Sequence, residues 1–187
     1  MARSDSARRK RSEEIIEYIK KNPLATDAML ADHFKVSINT IRLDRGRLGI
    51  KEFKERLKQK ASQTIKQVTS ISESEFFGDL IEYIPGISAK SRLEIKDYMT
   101  FENLNIAKGQ YIYSFAETLA ISLIPTAAAL VGVANIKYAN KIYSGDVVFA
   151  EAEVKRKTDT GYIVWVKIKD ELDELKFKGK FILKGIK

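Results

Sequence analysis

The sequence predicts an α+β chain: a basic helical module, then an antiparallel sheet wrapping a long central helix. Three observations carry that reading. The stretch Ile106 to Ile124, IAKGQYIYSFAETLAISLI, is apolar on nearly every helical face, and such a helix is normally swallowed by its own domain. The segments after it alternate apolar and polar residues, the period of a half-buried strand. Charge is segregated: through Ser70 the chain has 17 Lys+Arg against 9 Asp+Glu, and the remainder has 16 of each. A basic module followed by a neutral one points to nucleic-acid binding in the first part and another task in the second.

At 187 residues the chain suits one or two small domains. It has no cysteine and one histidine, His33. Disulfides, thiol chemistry and a multi-histidine metal cluster are thereby excluded, and no metal is expected. No apolar leader opens the sequence, and the apolar stretch 106–124 is interrupted by Lys108, Gly109, Gln110 and Glu117. A cytoplasmic protein without membrane insertion is the expectation.

Residues 1–12 are polar and basic and are expected to be disordered when free. Arg8, Arg9, Lys10 and Arg11 either reach along a DNA backbone or minor groove, or form a solvated tail. Glu13 to Lys21 reads as a helix with Ile15, Ile16 and Ile19 inward, stopped by Asn22-Pro23. Thr26 precedes an acidic first turn and caps Asp27 to Phe34; Ser37 caps Ile38 to about Arg47. Two short helices about Lys35-Val36-Ser37 form a helix-turn-helix of winged or plain type.

The second of these helices is expected in the major groove. Asn39 suits adenine, Arg42 and Arg45 suit guanine, and Thr40 suits phosphate or a thymine methyl, with Ser37 counted beside them as DNA-binding. Ile38, Ile41 and Leu48 are read as core, and Asp44 as orienting an arginine or packing against the scaffold. A structural His33 is favoured over a functional one.

Ile50, Phe53, Leu57, Ala61, Ile65 and Val68 form one apolar stripe on a charged helix. Such a helix packs on its own domain, pairs with a second copy, or lies on a membrane. Its mixed polar face makes the membrane the weakest option, and a linker helix that helps dimerisation is the reading. The domains are then 1–49 (DNA binding), 50–72 (linker) and 73–187. In the last, Glu75 to Tyr83 is a short amphipathic segment, Pro85-Gly86 a turn, and Arg92 to Phe101 a strand. After the central helix come strands at Ala128–Tyr138, Asp146–Lys157, Gly161–Lys169 and Glu174–Lys184.

The motif TDAMLADHFKVSINTIRLDR resembles the DeoR-type helix-turn-helix of bacterial repressors. Taken with FENLNIAKG…FAETLA, the chain from about Thr26 onward resembles the FapR-type repressors of fatty-acid and phospholipid synthesis genes. The resemblance implies a C-terminal hot-dog domain that pairs as a homodimer, an inverted-repeat DNA operator, and release of that operator by malonyl-CoA or malonyl-acyl carrier protein. No catalytic residue or cofactor is implied.

In such repressors an arginine and the following glycine, at the start of the central helix, hold the malonate carboxylate, and an asparagine supports it. Here Lys108, Gly109 and Glu117 stand at those positions, and Phe101 matches an aromatic beside the ligand. Lysine keeps the charge but loses the bidentate fork. A glutamate near malonate adds a like charge, about 3 kcal/mol at ~5 Å and an effective dielectric near 20. Three readings of Glu117 stay open: an ion pair with Lys108, within one chain or across subunits, or with another lysine; an effector role, for malonyl or for a neutral or different acyl thioester; or the general base or nucleophile of an acyl-CoA thioesterase with the Gly109 N–H as oxyanion donor.

Overall fold

The computed structural model describes residues 2–186, with side chains from Arg9 onward. The chain divides into two compact units, residues 1–59 and 60–187.

The first unit is helical: α1 (Ala2–Lys21), α2 (Asp27–Phe34), α3 (Ile38–Arg47) and the start of α4 (Phe53–Ile65). Ile15, Ala25, Leu30, Ala31 and Ile41 form its core. Thr26 Oγ1 accepts the Met29 N–H at 3.2 Å and Ser37 Oγ accepts the Thr40 N–H at 3.1 Å. Both caps satisfy N–H groups that an isolated helix start leaves unpaired. Between them, Lys35 takes the left-handed conformation (φ +51°) that turns the chain sharply. His33 lies tilted against Tyr18 (centroids 4.3 Å apart) and meets Phe34 edge-on, a structural place. No strand occurs among the described residues of this unit. The helix-turn-helix is therefore of the plain kind, without a wing.

One expectation is corrected here. The basic N-terminus continues α1 back to Ala2 instead of forming a disordered tail. No proline or glycine interrupts it. Arg9 and Lys10 lie within 3.9 and 4.0 Å of Glu13 and Glu14 one turn on, and Arg11 reaches buried Asp44 at 2.8 Å.

Of the stretch 50–72 expected as a separate linker, Phe53–Ile65 is helical (α4), and the division between the two units falls inside that helix. Arg56 donates to the carbonyls of Pro23 and Ala25 at 2.6 and 2.7 Å, within the first unit. Ile65 and Val68 pack in the core of the second. This end of the apolar stripe is thus used within its own chain.

The second unit is a six-stranded antiparallel sheet around α5 (Gly109–Ser122). Its strands are β1 (Asp79–Ile84), β2 (Ser88–Glu94), β3 (Ala128–Tyr138), β4 (Val147–Thr158), β5 (Gly161–Asp170) and β6 (Leu175–Ile186), in the order β1-β2-β4-β5-β6-β3. Ile112, Phe115, Ala116, Leu119 and Ala120 of α5 are buried against Val148, Ala150, Val164, Val166, Ile168, Phe177 and Phe181. This is the wrapped-helix arrangement of a hot-dog domain. Gly78 (φ +108°) passes the Phe115 ring so closely that a Cβ would stand 2.7 Å from it.

Two strands precede α5, where one was expected. The segment read as simply amphipathic is β1, whose alternation is broken by a register shift between Leu80 and Glu82. The strand expected at 92–101 is β2, ending at Glu94, and the chain then makes a 3₁₀ turn at Asp97–Met99. The strand β3 is an edge, with Leu130, Val133, Ile136 and Tyr138 exposed. Among the described residues no helix is long and apolar enough to cross a membrane.

Candidate functional site

In the first unit the capped start of α3 decides what faces outward. Ile38, Asn39, Arg42, Leu43 and Gly46 are exposed, while Ile41, Asp44 and Arg45 are buried. Asn39 and Arg42 thus share an open face, with Arg42's side chain 64 % exposed and 3.7 Å from Asp27. Ser37 and Thr40 are committed to the cap, their hydroxyls 2.9 Å apart. Arg9 and Lys10 are exposed on α1. The side chain of Arg8 lies outside the described residues.

Arg45 does not belong to this face. Its side chain is 9 % exposed. It donates to Asp27 at 3.0 and 3.3 Å and to the Ile50 carbonyl at 3.1 Å. The expectation that it reads a base is corrected: a guanidinium so enclosed ties α3 to the start of α2. Asp44, 2 % exposed, orients Arg11 and lies 3.7 Å from Arg47. Two exposed apolar residues, Ile38 and Leu43, complete the outward face. Ile38 is exposed where the sequence predicts core, and Leu43, four positions on from Asn39 and next to Arg42, is exposed with it.

In the second unit three of the four predicted effector residues meet at the N-terminus of α5. Backbone bonds from Phe101 N–H to Ile106 (3.0 Å) and from Lys108 N–H to Met99 (2.8 Å) close the loop before the helix. This sets the Lys108 ammonium 5.9 Å from the Phe101 ring centroid, a cation–π distance. Phe101 is 50 % exposed. Lys108 is the N-cap residue of α5, with its side chain free of capping duty.

Gly109 follows as the first helical residue. The Tyr138 hydroxyl, from the end of β3, donates to its carbonyl at 3.0 Å, and a Cβ on Gly109 would stand 3.0 Å from that oxygen. A cavity of about 730 Å³ opens here, lined by Gly109, Ile112, Tyr138, Asn140, Lys141 and Lys176 among others. The Lys176 ammonium lies 2.5 Å from Glu174 and 3.0 Å from Asp170, and these carboxylates push its pKa up, Glu174's hydrogen bond most. It stays charged and occupied. Ile106, Ala107 and Gly109, the residues around half-buried Lys108, line this cavity, and that lysine with the dipole of a helix start favours an anion there.

Glu117 stands apart. Nine residues of helix place it about 13 Å further along the axis than Lys108, and no ion pair joins the two among the described residues. The intrachain Lys108–Glu117 pair, one of the open readings, is thus corrected. Half-buried, Glu117 accepts instead from the Tyr113 hydroxyl at 3.3 Å. Burial, and then the Glu117 charge, raise the pKa of that phenol, so the donor keeps its proton. Tyr113 and Tyr138 were not anticipated. Tyr113 lies one turn before Glu117, a spacing that was readable; Tyr138 needed the fold.

No family model matches the chain. Among curated proteins it is 50 % identical over 167 residues to "Transcription factor FapR" of Caldanaerobacter subterraneus subsp. tengcongensis, spanning 89 % of this chain and 83 % of the relative. It is 40 % identical over 172 residues to the protein of the same name from Staphylococcus aureus, spanning 92 % of each. Among solved structures, an uncharacterized protein of Pyrococcus horikoshii superposes with a TM-score of 0.56 at 21 % identity, over 69 % of this chain and 92 % of the other. The PaaI protein of the E. coli phenylacetic acid degradation operon gives 0.59 at 17 %, over 70 % and 96 %. At these identities the likeness to solved structures speaks for the fold alone.

Proposed function

The chain belongs to the FapR family of transcription factors, and from that premise we propose that it represses fatty-acid and phospholipid synthesis genes in response to an acyl thioester. It acts in the cytoplasm as a homodimer on an inverted-repeat operator in double-stranded DNA. The open face of α3, with Asn39 and Arg42, meets base edges, and Arg9 and Lys10 meet phosphates. The thioester, malonyl-CoA or malonyl-acyl carrier protein, sits in the cavity at Gly109, with its carboxylate on Lys108 and its chain beside Phe101. Ligand binding favours a conformation that the operator disfavours; without that difference it could not release DNA.

The observation that carries this reading is the pairing, in one chain, of a capped recognition helix with an open face that holds Asn39 and Arg42, and a cavity lined by Ile106, Ala107 and Gly109, on either side of Lys108 at a helix start. Catalysis has no part in it. Glu117 enters through a second copy of the chain, because within one chain it lies too far from Lys108 to touch the same carboxylate.

The position of Glu117 supports a second reading, in which the effector is an acyl thioester without a terminal carboxylate. Calorimetric titration with malonyl-CoA, with acetyl-CoA as control, separates the two. Malonyl selectivity of tenfold or more, lost in Lys108→Ala, is expected. In Glu117→Gln the affinity for malonyl-CoA should rise if this carboxylate faces the ligand across the dimer. Equal binding of both thioesters by the wild type would remove malonate from the proposal. Hydrolysis of either one, abolished in Glu117→Gln, would replace the regulator by an enzyme.

A further inference from the structure

The outer face of the sheet carries a charge pattern that the fold does not need. Strand register sets Lys90, Glu151, Lys167, Lys178 and Lys137 in one row across β2, β4, β5, β6 and β3. The adjoining row runs Glu153, Trp165, Lys180 and Asn135. Residues directly opposite one another share a face, with Cβ atoms roughly 5 Å apart. On β4 the acids are matched, Glu151 with Lys90 at 2.9 Å and Glu153 with Lys155 at 2.5 Å. Beyond β4 no acid among the described residues pairs with Lys137, Lys167, Lys178 or Lys180.

Three lysines directly opposite one another oppose folding. Charge that protects a sheet edge explains Lys137 on β3. It does not explain Lys167 and Lys178, which lie on the interior strands β5 and β6. Trp165 stands among them, 48 % exposed, in a groove of about 540 Å³ between the lysines. Ile163, Ile182 and Val133 form the next row, at least partly exposed.

Cations around an exposed indole with an aliphatic border suit an acidic protein surface better than a phosphate backbone, which gains nothing from the apolar row. The patch also adjoins the effector cavity. Lys137 and Tyr138 are consecutive on β3 and point to opposite faces of the sheet, and it is Tyr138 that hydrogen-bonds Gly109. We infer that this lysine–tryptophan patch docks an acidic carrier protein, whose thioester arm passes round the end of β3 into the cavity at Gly109. The inference rests on the reading of an acyl thioester as effector, and it separates the two sources of that thioester: CoA brings no protein surface to the patch.

The test titrates the full chain with malonyl-CoA and with malonyl-loaded acyl carrier protein. The double variant Lys178→Glu/Lys180→Glu should bind malonyl-CoA within twofold of the wild type, which also shows that it is folded, and the carrier form at least tenfold more weakly. Lys178→Arg/Lys180→Arg should bind both as the wild type does. An unchanged carrier affinity in the glutamate variant, or an equal loss for both ligands, overturns the inference. So does a loss confined to operator DNA, which would make the patch a nucleic-acid contact. A wild type that binds malonyl-CoA but not the carrier form refutes the docking surface alone. One that binds neither refutes the effector reading, and the docking surface with it.

Discussion

Arg42 and Arg45 stand three residues apart on one helix and have opposite fates. Asp27, at the start of α2, takes Arg45 into a bidentate bond and leaves Arg42 at 3.7 Å. The two alanine variants should therefore fail differently. Arg42→Ala should cost about 1–3 kcal/mol of operator affinity and leave thermal stability of the first unit nearly unchanged. Arg45→Ala should destabilise that unit by roughly 3 kcal/mol, because it leaves the Asp27 carboxylate without its closest partner in a poorly solvated place. Thermal unfolding and operator titration of both variants check this. A stable Arg45→Ala protein with weakened DNA binding would return Arg45 to the groove. Residue types alone could not distinguish the two arginines, since both suit guanine. Burial by an aspartate 18 positions earlier is a tertiary fact. The same applies to Lys108 and Glu117: their chemistry was readable, and their separation followed only once Lys108 proved to be the residue that caps α5.

Elements with local stop and start signals were the most legible. The helices α2 and α3 begin where Thr26 and Ser37 place them, because a side-chain cap acts within three residues. Removing either cap should be felt locally. Ser37→Ala should destabilise the first unit by about 1 kcal/mol, readable in its unfolding midpoint, and weaken operator binding modestly through a less well-formed recognition helix. A variant with unchanged stability would mean that the cap bond contributes nothing. Strands β3 to β6 were legible within a few residues at their ends from alternation. In β1 a register shift at Leu80–Glu82 erases the period of two, so the hairpin with β2 was missed. The start of α1 was missed for another reason. Its basic composition resembles a tail, and the salt bridges that support it, above all Arg11 to Asp44 across 33 residues, cannot be read from composition.

For the molecule as a whole, charge segregation was the most informative number in the sequence: a basic first part and a neutral second one. It pointed to DNA for the first unit, but it concealed the second unit's own asymmetry. That unit is neutral in sum, yet its lysines gather on one part of the sheet, a pattern that appears only when strand register is known. The central claim is that an acyl thioester in one unit controls the DNA affinity of the other. Its most direct test is release of a fluorescently labelled operator duplex, selected by the protein from a random pool and followed by anisotropy. Malonyl-CoA should release the duplex at concentrations at which acetyl-CoA does not, and in Lys108→Ala the release curve should move at least tenfold higher while operator affinity without ligand is unchanged. An operator that stays bound at saturating malonyl-CoA would contradict the account.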